Sequence, residues 1–430
     1  MTSETLQPAP RRLNHGLQRM FGRDTHEQGR AATPLELLYD LAFAASFAAA
    51  GNLSAHGIAE GHTVPAITGF AFAMISLVWA WINFSWFASA FDTDDWLFRL
   101  LTMVQMAGVV ILALGLPALF SSIDHGEVLD NRVMIAGYVV MRVALVCQWL
   151  RAARGSERYR TTALTYVAFI VVAQVMWVVI AALPLTLGFA MAAAGVALLV
   201  ELAGPLVAET RGAKTGAATP WHAHHIAERY ALLAIIAIGE GVFGTIAAVT
   251  TITTEHGWSF DAIVLVTVGM VLIFGMWWVY FIVPAADVLH VHRERSFPWG
   301  YGHFFIFASI AATGAGLHVV AYTFDEHYHL SDTTAVLSVA IPVAVFMLTV
   351  FALYAYLMRA FDTFHLGLSA GSLGLLVLSV VMSMNGASVS MSLLVAMLAP
   401  VVIVVGYEFA GHRHVAGHLE RLEQAEPATS

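Results

Sequence analysis

Charge is what this chain of 430 residues lacks. Asp, Glu, Lys and Arg make up 11% of it, against about a quarter in a typical soluble domain. A soluble protein of this length could bury a large core, but its surface would still need charge. Apolar residues reach 59% and the mean hydropathy is +0.75, so the composition is that of a polytopic membrane protein. Cysteine is nearly absent as well. Cys147 stands alone, which excludes an internal disulfide and a cysteine metal cluster. The sequence has no Ser/His/Asp set, P-loop, glycine-rich phosphate loop or HExxH, so no enzyme is expected and no cofactor is implied. Nucleic-acid binding is unsupported. No apolar segment closely follows Arg11–Arg12, so no signal peptide or twin-arginine leader is read, and residues 1–32 are expected to form a cytosolic arm. Its spread-out arginines, interrupted by acids, would attract anionic lipid only weakly. The net charge of −9 says less than the places where the charges lie.

What is present is a series of apolar runs. A membrane span needs about 20 mostly apolar residues. Twelve candidates lie near 34–53, 66–90, 97–120, 132–152, 162–182, 184–208, 226–251, 260–285, 300–322, 333–357, 366–384 and 391–410. Clusters such as "FDTDD", "RAARGSERYR" and "ETRGAKTGAATP" separate them. The predicted class is an all-α bundle of about 12 spans. Lysine and arginine placement supports the count. With both termini cytosolic, all of the twenty except Arg132 and Arg142 fall in tails or inner loops. That arrangement predicts a plasma (inner) membrane protein in contact with the lipid bilayer.

The chain also hints at two halves. "LYDLAFAASFAAAGN" (38–52) resembles "IGEGVFGTIAAVTT" (238–251) at an offset that sets Asp40 against Glu240 and Phe43 against Phe243. Each stretch lies in the first helix of a block of six. The helix after each ends in tryptophans, "VWAWINFSWF" and "GMWWVYF". Six is an even number, so the blocks would insert the same way round, as a parallel repeat. The expected organisation is an arm (1–32), a first block (33–208), a cytosolic linker (209–225), a second block (226–410) and a cytosolic tail (411–430).

Ionisable residues inside spans are costly and are functional candidates by default. Glu240 lies eleven residues beyond Arg229, about 16 Å deeper by helical rise. It would be affordable only if the second block folded around it, either at a functional site or as a structural lock. Gly239, Gly241 and Gly244 flank it and allow close helix approach or a local break. In "TPLELLYD", Thr33, Pro34 and Glu36 form a capping signature, so Glu36 reads as structural. Asp40 follows one turn later on the same face and is the first block's counterpart of Glu240. Arg142, in "VVMRVALVCQWL", needs an acidic partner or a polar cavity. Asp40, Glu240 and Glu201 are available, and a pair with one block's acid is preferred. Asn83, Gln105 and Gln174 read as helix-to-helix hydrogen bonds, and Glu408 as interfacial.

Two motifs raise metal binding and are read more simply. In "HAHHIAERY", His224 and Glu228 are spaced i, i+4, as are His225 and Arg229. Solvated histidines, able to titrate near pH 6.5, are the plainer reading. In "AFDTDDWLFRLL", Asp92, Asp94 and Asp95 fit a solvated turn and a helix cap. His303 and His318 share one span. One would reach the polar interior and the other the outer surface.

Taken together, "TPLELLYDLAFA" (33–44), "FDTDDWLFRL" (91–100), "HHIAERYALLAIIAIGEG" (224–241), "WWVYF" (277–281) and "GHFFIFASIAATGAGLH" (302–318) resemble the bacterial low temperature requirement A (LtrA) membrane proteins. The resemblance runs from about residue 30 to 410 and is most specific at ERY…GE. Gly241 stands where the family tends to carry serine, and "LLYD" replaces a more phenylalanine-rich version. The resemblance implies a helical inner-membrane protein with no assigned enzymatic activity. It marks Asp40, Glu228, Arg229 and Glu240 as motif residues of unknown role. Two six-helix blocks with acidic first helices are also similar in architecture alone to two-repeat endolysosomal potassium channels. The Phe-Ser-Asp triplet of those channels is absent from this chain.

Three functions compete. The first is a transporter or ion-coupled carrier with Asp40, Glu240, Arg142 and Glu201 at its site, taking a small ion or small molecule. The second is a cation or proton channel, which would need polar residues along one continuous face of each first helix. The third is a non-transporting stress or scaffold protein. An oligomer is compatible with all three.

Overall fold

The computed structural model describes residues 16–126, 128–359 and 363–412. The start of the arm, with Arg11 and Arg12, and the end of the tail, with Arg413 and Arg421, lie outside the described residues. Among the described residues the chain is helical, with no strand beyond a lone bridge between Val128 and Thr186. The first half comprises α1 (Pro34–Ala59), α2 (Thr63–Phe91), α3 (Trp96–Leu114), α4 (Leu116–His125), α5 (Arg132–Gly155), α6 (Arg160–Ala182) and α7 (Leu187–Lys214). The second comprises α8 (Ala223–His256), α9 (Phe260–Phe281), α10 (Ala285–Val291), α11 (Ser296–Tyr322), α12 (Asp332–Met358), α13 (Thr363–Met384), α14 (Val389–Ala396) and α15 (Leu398–Gly406).

Eleven of these segments are long and apolar enough to cross a membrane, counting α3–α4, α9–α10 and α14–α15 as one each. The twelfth expected span is α1. Its 26 residues cover about 39 Å, enough to cross, but its acids, serines and Asn52 keep it outside the apolar set. The reason is its position: α1 packs against α2, α3, α8 and α11, so one side of it faces protein rather than lipid. The connection between the halves is shorter than 209–225, because α7 runs to Lys214 and α8 starts at Ala223.

Local chemistry sets the helix ends. Thr33 and Glu36 form the expected reciprocal capping box at α1. Asp95 caps α3, accepting from the amides of Leu97 and Phe98. Ser259, Ser331 and Ser388 cap α9, α12 and α14. The α3–α4 break falls at Gly115, followed by Pro117 in the first turn of α4. Two glycine crossings bring helices into backbone contact. A β-carbon on Gly137 of α5 would sit 2.5 Å from the Gly108 carbonyl of α3. A β-carbon on Gly244 of α8 would sit 2.7 Å from the Gly314 carbonyl of α11.

The core is aromatic and centred on α2, where Trp79, Trp81, Phe84, Phe87 and Phe91 are fully buried. Within each half the neighbour order is alike. α1 meets α2 and α3, α3 meets α5, and α5 meets α6; likewise α8 meets α9 and α11, α11 meets α12, and α12 meets α13. The surroundings of the leading acids, Asp40 and Glu240, nevertheless differ. The described part of the arm is tied down. Arg30 donates to the Ser89 and Ala88 carbonyls at 2.5 and 3.0 Å, at the carbonyl end of α2. Arg19 donates to the Gly155 carbonyl at 2.7 Å.

Candidate functional site

Among the described residues Arg229 and Arg142 anchor two buried ion-pair networks, and Glu240 lies apart from both. The larger network centres on Arg229, which α8 carries into the interior soon after its start. The side chain is completely buried. Its Nη1 donates to Glu36 Oε1 at 2.7 Å, its Nη2 to Asp40 Oδ1 at 2.6 Å and its Nε to Asp40 Oδ2 at 3.3 Å. Glu36 Oε2 also accepts from the Thr33 amide at 2.9 Å and lies 3.3 Å from His225 Nε2. Trp81 Nε1–H donates to Asp40 at 2.7 Å, and its ring lies 5.6 Å from the guanidinium carbon. Glu36 is therefore a cap and an ion-pair partner at once. With His225 neutral, two carboxylates and one guanidinium leave one net negative charge. The network joins the first helix of one half to the first helix of the other.

The second network decides which of the three available acids Arg142 meets. Arg142 pairs with Glu201 at 2.8 Å, and both side chains are buried. Asp40 is already neutralised by Arg229, and Glu240 lies on α8, which packs against α1, α9 and α11. Tyr138, one turn before Arg142, accepts from it at 2.5 Å and donates to Glu201 at 2.6 Å. The other Glu201 oxygen takes Gln174 at 3.1 Å and Trp177 Nε1–H at 3.0 Å. This network is balanced, one acid against one base, and lies within the first half. Gln174 and Gln105 bond across helices as expected, Gln105 to Tyr39 and Gln148. Asn83 does not: it donates to the Trp79 carbonyl of its own helix at 2.9 Å. Glu408 accepts from Trp278 at an exposed edge.

Of the aspartates of the α2–α3 turn, Asp94 is exposed beside Arg99, as expected of a solvated turn, but Asp92 and Asp95 are buried. Asp95 is ion-paired with Arg151 and accepts the Gln18 amide at 3.1 Å. Burial alone would raise its carboxyl, but Arg151 and the amides of Phe98 and Gln18 outweigh it and hold it down to about 2. Asp92 meets Arg23 only at 3.9 Å. Burial, and then the Glu36 carboxylate, push it up to about 6. Among the described residues no set of three His, Cys, Asp or Glu side chains is placed to hold a metal. His224 stays half-exposed beside Asp287 at 3.6 Å, whereas His225 is buried.

Glu240 is different. It lies about 16 Å along α8 from Arg229, half-buried, and among the described residues it has no hydrogen bond or ion pair. It faces a cavity of about 10 Å³, with Asn52 and Gly51 of α1 and Gly314 and His318 of α11 in its walls. That is room for about one water-sized centre. A second, larger cavity of about 400 Å³ lies at the end of the bundle near the arm, walled by Trp79, Trp149, Trp221 and Arg293. A third, of about 470 Å³, lies between α8, α9, α11 and α12 and reaches from Glu228 to His303. His303 is the histidine that reaches the interior. It is buried, 2.8 Å from the Trp299 carbonyl and 3.1 Å from the Tyr280 hydroxyl.

Trp81, Tyr138 and Trp177 partner buried acids, which the charged motifs alone did not indicate. Tyr138 stands four residues before Arg142, and Trp81 lies in the tryptophan-rich end of α2. Those were the available signals.

Comparison with known proteins agrees with this architecture. The family model for the bacterial low temperature requirement A protein matches residues 31–402. An uncharacterized protein of Rhizobium meliloti (strain 1021) is 26% identical over 311 residues, covering 68% of this chain and 70% of that protein. No solved structure matches. A multi-pass helical bundle matched by one family model from the end of its arm to its last span belongs to the bacterial low temperature requirement A family.

Proposed function

We propose that this protein is an ion-coupled carrier of the inner membrane, with both termini cytosolic, no enzymatic activity and Glu240 as its ion-binding carboxylate. One observation carries the reading. Glu36 and Asp40 share the buried Arg229 and Glu201 pairs with the buried Arg142, whereas Glu240 faces a small niche with no partner among the described residues. A charged carboxylate at membrane depth costs about 2.5–3.5 kcal/mol, which a bound proton or metal cation would relieve. The niche draws on α1, α8 and α11, so a bound cation would bias how the two halves meet. The cavities at the arm end give a small substrate room on one side, as a carrier open to the cytosol requires. The two-block repeat belongs to the same proposal.

Flux tests the reading. Purified protein in liposomes is given imposed proton, sodium and potassium gradients in turn, beside a Glu240→Gln variant that keeps the shape and removes the charge. A wild-type ion flux that the equally folded variant lacks is the expected result. Equal flux in both removes Glu240 from the path, and no flux from either overturns the carrier reading.

A further inference from the structure

The cavity between α8, α9, α11 and α12 is chemically one-sided. Glu228 contributes a half-buried carboxylate to its wall. One oxygen of that carboxylate accepts the Ala32 amide at 3.2 Å, and the other has no partner among the described residues. The neighbouring cation, Arg229, is consumed by Glu36 and Asp40. Among the described residues no lysine or arginine lines the cavity, and His224, which does, lies beside Asp287 at 3.6 Å. Among the described residues no cation pairs with the Glu228 carboxylate.

The far end is fixed by hydrogen-bond direction. The Trp299 carbonyl can only accept, so His303 Nδ1, at 2.8 Å, carries the proton. Buried without an acidic partner, the ring is favoured in its neutral form, in which Nε2, at 3.1 Å, accepts from the Tyr280 hydroxyl. Tyr280 then spends its proton there and turns only lone pairs to anything else. The neutral imidazole has no donor left. The rings of Tyr280, Phe281 and Trp299 line it together with aliphatic side chains such as Ile306, Val350 and Leu353. One carboxylate without an ion-pair partner, a phenolic acceptor and three aromatic side chains make a setting that favours a cation over an anion or a neutral molecule. The volume of about 470 Å³ is in the range of small-molecule sites.

We propose that this cavity binds a small organic ammonium ion, its N–H groups on Glu228 and Tyr280 and its body against the aromatic rings. The proposal does not depend on Glu240 or on transport.

The test uses the full-length protein in detergent and three probes of like shape: benzylamine, benzyl alcohol and benzoate. Binding is read by calorimetry and by the quenching of tryptophan fluorescence. Benzylamine is expected to bind saturably and about tenfold or more tighter than the alcohol, with benzoate weakest. E228Q should bring benzylamine down to the level of the alcohol and leave the alcohol unchanged. Equal binding of amine and alcohol by the wild type overturns the proposal, whatever the variant does. So does full benzylamine affinity in E228Q. Displacement of bound detergent or lipid by all three probes equally would mark the cavity as a site for an apolar chain, and would overturn it as well.

Discussion

Arg229 and Glu240 lie on the same helix, about 16 Å apart, and their surroundings are opposites. Arg229 has no exposed surface, and its guanidinium is shared between Glu36 and Asp40. Glu240 is half-buried beside Asn52 and His318 and has no partner among the described residues. Both are ionisable groups that α8 carries inside a membrane-spanning segment. One is neutralised by the fold and the other is left open to something that comes and goes. Burial therefore does not by itself mark a working group in this protein; the missing partner does. The Arg142–Glu201 pair makes the same point from the first half, where Tyr138, Gln174 and Trp177 occupy the remaining acceptor positions of Glu201.

That contrast can be broken by mutation, most forcefully at Arg229. Arg229→Ala leaves two carboxylates buried without a cation, and removing one partner of a single buried pair already costs about 3–5 kcal/mol. The variant should fail to reach the membrane in folded form, read as lost expression and lost monodispersity in detergent. Wild-type thermal stability in this variant would show that the network is not a lock. Arg142→Met comes next. Alone it should lower stability by about 3–5 kcal/mol, and pairing it with Glu201→Leu should restore most of that, because apolar replacement of a whole buried pair is often neutral. A thermal-shift series on the two single variants and the double variant reads the recovery.

The turn at Asp92 sharpens the contrast through pH. Its folded value of about 6 exceeds the ordinary value of about 3.9. A raised acid contributes stability that is present below about pH 4 and lost as pH rises through about 6. The difference is worth up to about 3 kcal/mol. Asp92→Asn should therefore melt higher than wild type at pH 7.5 and alike at pH 4. The smallest effect on stability belongs to Glu240→Gln, which breaks no partner contact and should change the melting temperature little. A large drop would make Glu240 a structural lock.

Much of the architecture was legible because spans are written in apolar runs. All twelve expected segments are helical, eleven of them long and apolar enough to cross, and the capping signature in "TPLELLYD" marks the start of α1. Pairing was harder to read. The approach of α1 to α8 brings Arg229 onto Glu36 and Asp40 across nearly two hundred residues, and no local spacing encodes that meeting. Asp40 and Glu240 align in sequence, yet one meets an arginine and the other a cavity, because helix neighbours decide what an acid sees. The turn aspartates read as solvated, yet the arm folds back over Asp92 and Asp95 and leaves only Asp94 exposed. Arg19 and Gln18 are what cover that end, and nothing in the polar composition of residues 16–32 announced that they would.

The most direct measurement is infrared difference spectroscopy of the protein in lipid, following the carboxyl band as protons or sodium ions are added. A band that responds in wild type and is missing in Glu240→Gln, with the bands of the other carboxyls unmoved, is the predicted result. An unchanged difference spectrum in Glu240→Gln would mean that another acid takes the ion, and would contradict the role of Glu240 as the ion-binding carboxylate.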